Sequence, residues 1–186
     1  VRITRTALIA AMVMALAGCA GQSDAGQSEE GPAQAAAPDQ APDRFTIAPD
    51  DYHVPYAGTA EDGRRFFLSE ELFGGRGGGS SYVGLFLWKD DGTFDEVRVD
   101  EVARPEGLPA GQAAPAGAQD LVDARLAELG DYVLEPIEVE PFIEKADGVR
   151  FGWKVGTYDD GTHFVSIVPG DFIVYYAPWD GLDYDT

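Results

Sequence analysis

The sequence predicts an α+β fold, a mostly antiparallel β-sheet with one main helix packed on it. Three observations predict it. Apolar and polar residues alternate in short runs, most clearly where Val149, Phe151, Trp153 and Val155 interleave with Arg150, Gly152 and Lys154. Asp-Gly pairs punctuate those runs as hairpin turns do. One segment, Gln119 to Leu129, has apolar residues at helical spacing.

Each element follows from local chemistry. Arg44 to Glu61 contains Pro49 and Pro55 and no periodicity, which predicts an irregular lead-in. Asp62-Gly63 is a turn, and Arg64 to Leu68 a short strand. Ser69 to Phe73 is predicted as one helical turn capped by Ser69. Gly74 to Ser81 is glycine-rich and predicts a flexible loop. Tyr82 to Trp88 is an aromatic and aliphatic run that suits a central strand. After Asp90-Asp91-Gly92 comes a half-exposed strand, Phe94 to Val102. Its Val97, Val99 and Glu101 face one way and its Arg98, Asp100 and Val102 the other.

Arg104 to Gly117 is rich in Pro, Gly and Ala and predicts a loop. In the helix that follows, Val122, Leu126 and Leu129 form a stripe with Leu121 beside it, and Gly130 stops it. The remainder reads as strands at Tyr132–Leu134, Ile137–Glu140, Val149–Val155, Phe164–Val168 and Phe172–Tyr176. Turns fall at Lys145–Gly148 and Asp159–Gly161. Asp-Asp-Gly-Thr occurs twice, at Asp90–Thr93 and Asp159–Thr162, which is too short to establish a duplication.

The first residues carry Arg2 and Arg5 and no acid, and an apolar run from Ala7 to Leu16 follows. A basic start, a short apolar stretch and small residues at a cut site mark an export signal. The run is shorter than the roughly 20 residues that span a bilayer. Leu16-Ala17-Gly18-Cys19 resembles the lipobox of bacterial lipoproteins. The resemblance covers the signal region alone. It implies cleavage between Gly18 and Cys19, diacylglycerol on the Cys19 thiol, and often acylation of the new amino group. Two or more acyl chains are what stable anchoring requires. The expected location is therefore the outer face of a cell membrane or an outer membrane. Cys19 is the only cysteine, so no internal disulfide can form.

This divides the chain into a signal peptide (1–18), a lipidated cysteine with an acidic tether (19–43) and one globular domain (44–186). The tether is Ala, Gly, Gln, Ser, Pro and acid, too poor in apolar residues to offset the entropy of ordering. The domain has 11 basic and 28 acidic side chains, a net charge of −17 within a total of −20. Such a field repels nucleic acid and anionic headgroups and attracts cations and basic proteins. Acidity also serves solubility alone.

No catalytic pattern outweighs an ordinary structural explanation. Neither Asp-Asp-Gly turn has the spacing of a calcium loop, so no metal is expected there. Gly74–Ser81 lacks the Gly-Lys-Ser/Thr ending of a phosphate loop, and Tyr82 stands where a nucleophile elbow needs glycine. His53 and His163 are the only histidines, and neither sits in a zinc or triad pattern. Paired carboxylates serve glycoside hydrolysis, but 28 acids make suitable pairs common by chance.

The tail is the least ordinary feature. Trp179, Asp180, Asp183, Tyr184 and Asp185 place aromatics among acids at a terminus. Either the rings pack back over the sheet, or Trp179 anchors a partner while the aspartates steer it; a tail packed at one rim with its acids outward satisfies both. The expectation is a lipid-anchored, extracytoplasmic, non-enzymatic binding domain without cofactor. Its partner is a basic protein, and a sharper version is an immunity-type inhibitor of a basic toxin. The alternative is a small envelope hydrolase working through carboxylates.

Overall fold

The computed structural model describes residues 40–74, 80–102 and 117–186. The predicted signal peptide, Cys19 and nearly all of the predicted tether lie outside the described residues, as do the centres of the two predicted loops. Among the described residues there are twelve strands and one helix.

Two five-stranded antiparallel sheets and a two-stranded ribbon carry the fold. The first sheet has the order β5-β4-β3-β2-β6. It consists of β2 (Tyr56–Thr59), β3 (Arg65–Phe73), β4 (Ser81–Trp88), β5 (Phe94–Val102) and β6 (Val133–Leu134). The second has the order β12-β11-β10-β9-β8. It consists of β8 (Ile143–Ala146), β9 (Val149–Thr157), β10 (His163–Val168), β11 (Val174–Tyr175) and β12 (Tyr184–Asp185). The ribbon pairs β1 (Phe45–Ile47) with β7 (Ile137–Val139). The helix, α1 (Ala118–Ala127), packs on the first sheet.

The first sheet is buried on both faces, which explains the unbroken apolar run of β4. Phe67, Phe86 and Trp88 point toward the second sheet, where they meet Phe151, Trp153, Val165 and Ile167. Phe66, Leu68, Val83, Leu85 and Leu87 point the other way, against Ala118, Val122 and Leu129 of the helix segment. Rings bridge the sheets: Phe67 to Trp153 at 5.3 Å and Tyr82 to Phe151 at 5.2 Å. Three polar atoms in this core have no protein partner: Trp153 Nε1, Tyr175 OH and Trp179 Nε1. Burial holds the Tyr175 hydroxyl far above its ordinary value.

The predicted helical turn at Ser69–Phe73 is not one. β3 runs straight through it, with a register irregularity between Ser69 and Leu72. Ser69 Oγ accepts the Glu71 N–H at 3.1 Å, so the serine caps a bulge instead of a helix. Leu72 is fully buried and decides the matter, because the strand places it in the inter-sheet core. The predicted strand at Phe172–Tyr176 shortens to β11, since only Val174 and Tyr175 find partners on both sides.

Three hairpins share one turn. Ala60, Lys89 and Tyr158 donate N–H bonds to the carbonyls of Arg64, Thr93 and Thr162, at 2.8–2.9 Å. In each, an aspartate Oδ1 accepts the N–H two residues on: Asp62 from Arg64, Asp91 from Thr93, Asp160 from Thr162. The glycines that follow, Gly63, Gly92 and Gly161, have φ of 86°, 81° and 91°. That is the left-handed position a three-residue hairpin loop requires. The Asp-Gly signal is therefore turn chemistry in all three.

Candidate functional site

The acids of the first sheet are largely spent on holding the helix. Arg125 grips Asp100 with two bonds, at 2.7 and 3.0 Å, and Glu128 at 2.8 Å. Arg98 joins Glu128 at 2.6 Å and pairs with Glu96, which Arg64 meets at 2.9 Å. The chain of charges continues to Asp62 at 2.8 Å. It ties the β2–β3 turn, β5 and the helix together. Hydrogen bonds from Arg98 and Arg64 hold the Glu96 carboxyl below its ordinary value against the opposing effect of burial.

The tail is split between core and surface. Trp179 is only 4% exposed and belongs to the inter-sheet core. Its backbone is left-handed, φ 67°, pinned by a bond from Thr46 N–H to Trp179 O at 2.8 Å. Of the two predicted places for this ring, it takes the one packed back over the sheet. Tyr184 lies in β12 opposite Tyr175, and its hydroxyl donates to Asp50 Oδ2 at 2.5 Å. Asp180, Asp183 and Asp185 face solvent. Asp180 also accepts the Leu182 N–H at 3.1 Å.

Two large apolar side chains stand exposed, Tyr52 in the lead-in, which the sequence does not mark, and Leu182 in the tail. Tyr52 is 72% exposed and Leu182 is 75% exposed, the highest values among the large apolar side chains described. Both flank the bond between Asp50 and Tyr184 in the sequence. Asp50 also accepts the N–H groups of Tyr52 and Val54, at 2.8 and 2.9 Å, so the loop that presents Tyr52 is firmly closed. No signal in the sequence distinguishes an exposed Tyr52 from a buried one, because the lead-in has no period.

Beside this rim lies a cleft of about 70 Å³, lined by Tyr52, His53, Tyr56, Ser69 and Glu71 among others. His53 Nδ1 stands 2.5 Å from Glu71 Oε2. Phe172 and Tyr184 surround its ring, at 5.9 and 6.4 Å. Ser69, the nearest hydroxyl on the strand, bonds backbone and not the imidazole among the described contacts. His163 lies elsewhere, paired with Thr157 at 2.9 Å across β9 and β10.

No family model, curated protein or solved structure matches this chain. Function therefore rests on the chain's own residues.

A larger open groove of about 380 Å³ runs between Thr59, Arg65, Asp90, Glu135 and Glu138. Two bonds cross it: Thr59 donates to Glu135 at 2.6 Å, and Arg65 to the Glu138 carbonyl. Among the described residues no three His, Cys, Asp or Glu side chains are grouped to hold a metal ion. No described helix is long and apolar enough to cross a membrane.

Proposed function

We propose that this chain is a lipid-anchored, extracytoplasmic binding domain that captures a basic protein partner. Exposure of Tyr52 and Leu182 beside Asp51, Asp180, Asp183 and Asp185 carries the reading. Apolar groups set among exposed acids combine a desolvating anchor with a steering field. The Leu16–Cys19 motif supplies the anchor, with lipid on Cys19, and the domain's charge of −17 supports a cationic partner over nucleic acid. An immunity-type inhibitor is the sharper form of the same reading. A carboxylate hydrolase is the alternative, and the open groove lined by Asp90, Glu135 and Glu138 is where its acids would lie.

Two measurements test this. Fatty-acid labelling should mark the wild type and not Cys19→Ser; equal label in both ends the lipoprotein reading. A partner drawn from envelope extract should associate more slowly as salt rises, since the field extends only about 8 Å at physiological ionic strength. Neutralising Asp180, Asp183 and Asp185 should slow association, and Tyr52→Ala should speed dissociation. A partner whose association ignores salt removes the electrostatic part of the reading.

A further inference from the structure

The outer face of the second sheet differs from the rest of the domain. Register fixes which side chains point outward there. Phe151 and Trp153 face the core, so Arg150 and Lys154 of β9 face away from it. Lys145 of β8 pairs with Arg150 and shares that face. None of these three cations makes a salt bridge among the described residues, whereas Arg64, Arg98 and Arg125 are all paired. Three of the acids near this face are bonded locally, and Asp185 hydrogen-bonds to Tyr176. Glu144 accepts the Lys145 N–H at 3.1 Å, Asp160 caps its own turn, and Asp171 accepts the Ser166 hydroxyl at 2.9 Å.

Aromatic rings lie beside Lys154. Phe164 of β10 pairs with Gly156, where an added Cβ would strike its ring, so the ring lies flat across the strand. Tyr158 stacks on Phe164 with centroids 4.6 Å apart and planes 33° apart. Its hydroxyl meets that of Tyr176 at 3.1 Å, and those rings are inclined by 27°. Lys154 Nζ stands 5.4 Å from the Phe164 centroid. Tyr158 is 46% exposed.

We propose that this face binds a short acidic oligosaccharide, with a pyranose stacked on Tyr158 and separate uronate carboxylates held by Lys154 and, further along the strand, by Arg150. Guanidinium and ammonium groups with no protein carboxylate complement an anion. Rings laid flat and tied hydroxyl to hydroxyl offer faces for stacking; insertion into lipid would need them to project. The ligand is short because the three cations form an island in a domain of charge −17. Arg150 and Lys154 are four residues apart on one strand, about 13 Å. A screening length of about 8 Å lets the island act on a ligand lying over it, while a long polyanion meets the surrounding acids.

Calorimetry of the full chain with trigalacturonate, at about 0.1 M salt, tests the proposal. Binding should be at least about tenfold tighter than to maltotriose, and Arg150→Glu should weaken it about tenfold or more. Tyr158→Ala should weaken it comparably, while Tyr158→Phe, which keeps the ring, should not. Circular dichroism confirms that each variant is folded. Tyr52→Ala should leave the affinity unchanged, which separates this face from the protein-binding rim. Equal affinity for maltotriose, unchanged affinity in Tyr158→Ala, or binding to phosphatidylglycerol vesicles without binding to trigalacturonate would each overturn the proposal.

Discussion

Tyr184 donates its hydroxyl to Asp50 at 2.5 Å, across 134 residues of sequence. The bond fastens the last strand to the loop that presents Tyr52. Burial raises the Asp50 carboxyl, but the Tyr184 hydroxyl and the backbone N–H groups of Val54, Tyr52 and His53 outweigh it and hold it below its ordinary value. Burial and the bond to Asp50 push Tyr184 up to about 12.

These shifts predict two pH limbs. A depressed carboxyl contributes stability above its unfolded pKa of about 3.9, lost as pH falls through the lower folded value. A raised phenol contributes stability below about 10, lost as pH climbs toward the folded value. Tyr184→Phe should cost about 1–2 kcal/mol at neutral pH. It should also shrink the alkaline limb between about 10 and 12, to which the raised Tyr175 hydroxyl still contributes. Urea titrations across pH check this, and unchanged limbs in the variant would show that the bond does not persist in solution.

Trp179→Ala should destabilise the domain by about 3–5 kcal/mol, as expected for a large ring removed from a packed core. Trp179→Phe should cost less. If Trp179→Ala melted like the wild type, the buried placement of this ring would be wrong.

Alanine at the three turn glycines should not cost the same. All three need a left-handed backbone, worth about 1–2 kcal/mol. At Gly63 and Gly161 a Cβ meets nothing within 4 Å, whereas at Gly92 it meets Arg44 Nη1 and Glu138 O at 2.5 Å. Gly92→Ala should therefore cost at least about 1 kcal/mol more than the other two. Equal denaturation midpoints for the three variants would refute the ranking.

The Arg125–Asp100 pair should couple more strongly than Arg64–Asp62. It is bidentate and less exposed, 18% and 29% against 24% and 52%. Double-mutant cycles should give about 1 kcal/mol for the first and about 0.3 kcal/mol for the second. A stronger coupling in the exposed pair would contradict the role given to the charge belt in holding the helix.

Local chemistry alone determined much of this protein. Alternation in β9, the two-sided apolar run of β4, the Asp-Gly turns and the stop at Gly130 are short-range signals, and the structure follows them. The Leu16–Cys19 motif is equally local. Tertiary structure decided what depends on distant partners. Ser69–Phe73 is strand because Leu72 is drawn into the core between the sheets. Trp179 is core because the tail returns to pair with Thr46, far back in the chain, and its ring joins the apolar cluster between the sheets. Division of the strands into two sheets, exposure of Tyr52 and Leu182, and the gathering of Lys145, Arg150 and Lys154 on one sheet face also arise from packing. A side chain's burial depends on which element covers it, and a hydrophobicity pattern specifies a buried face without naming its partner.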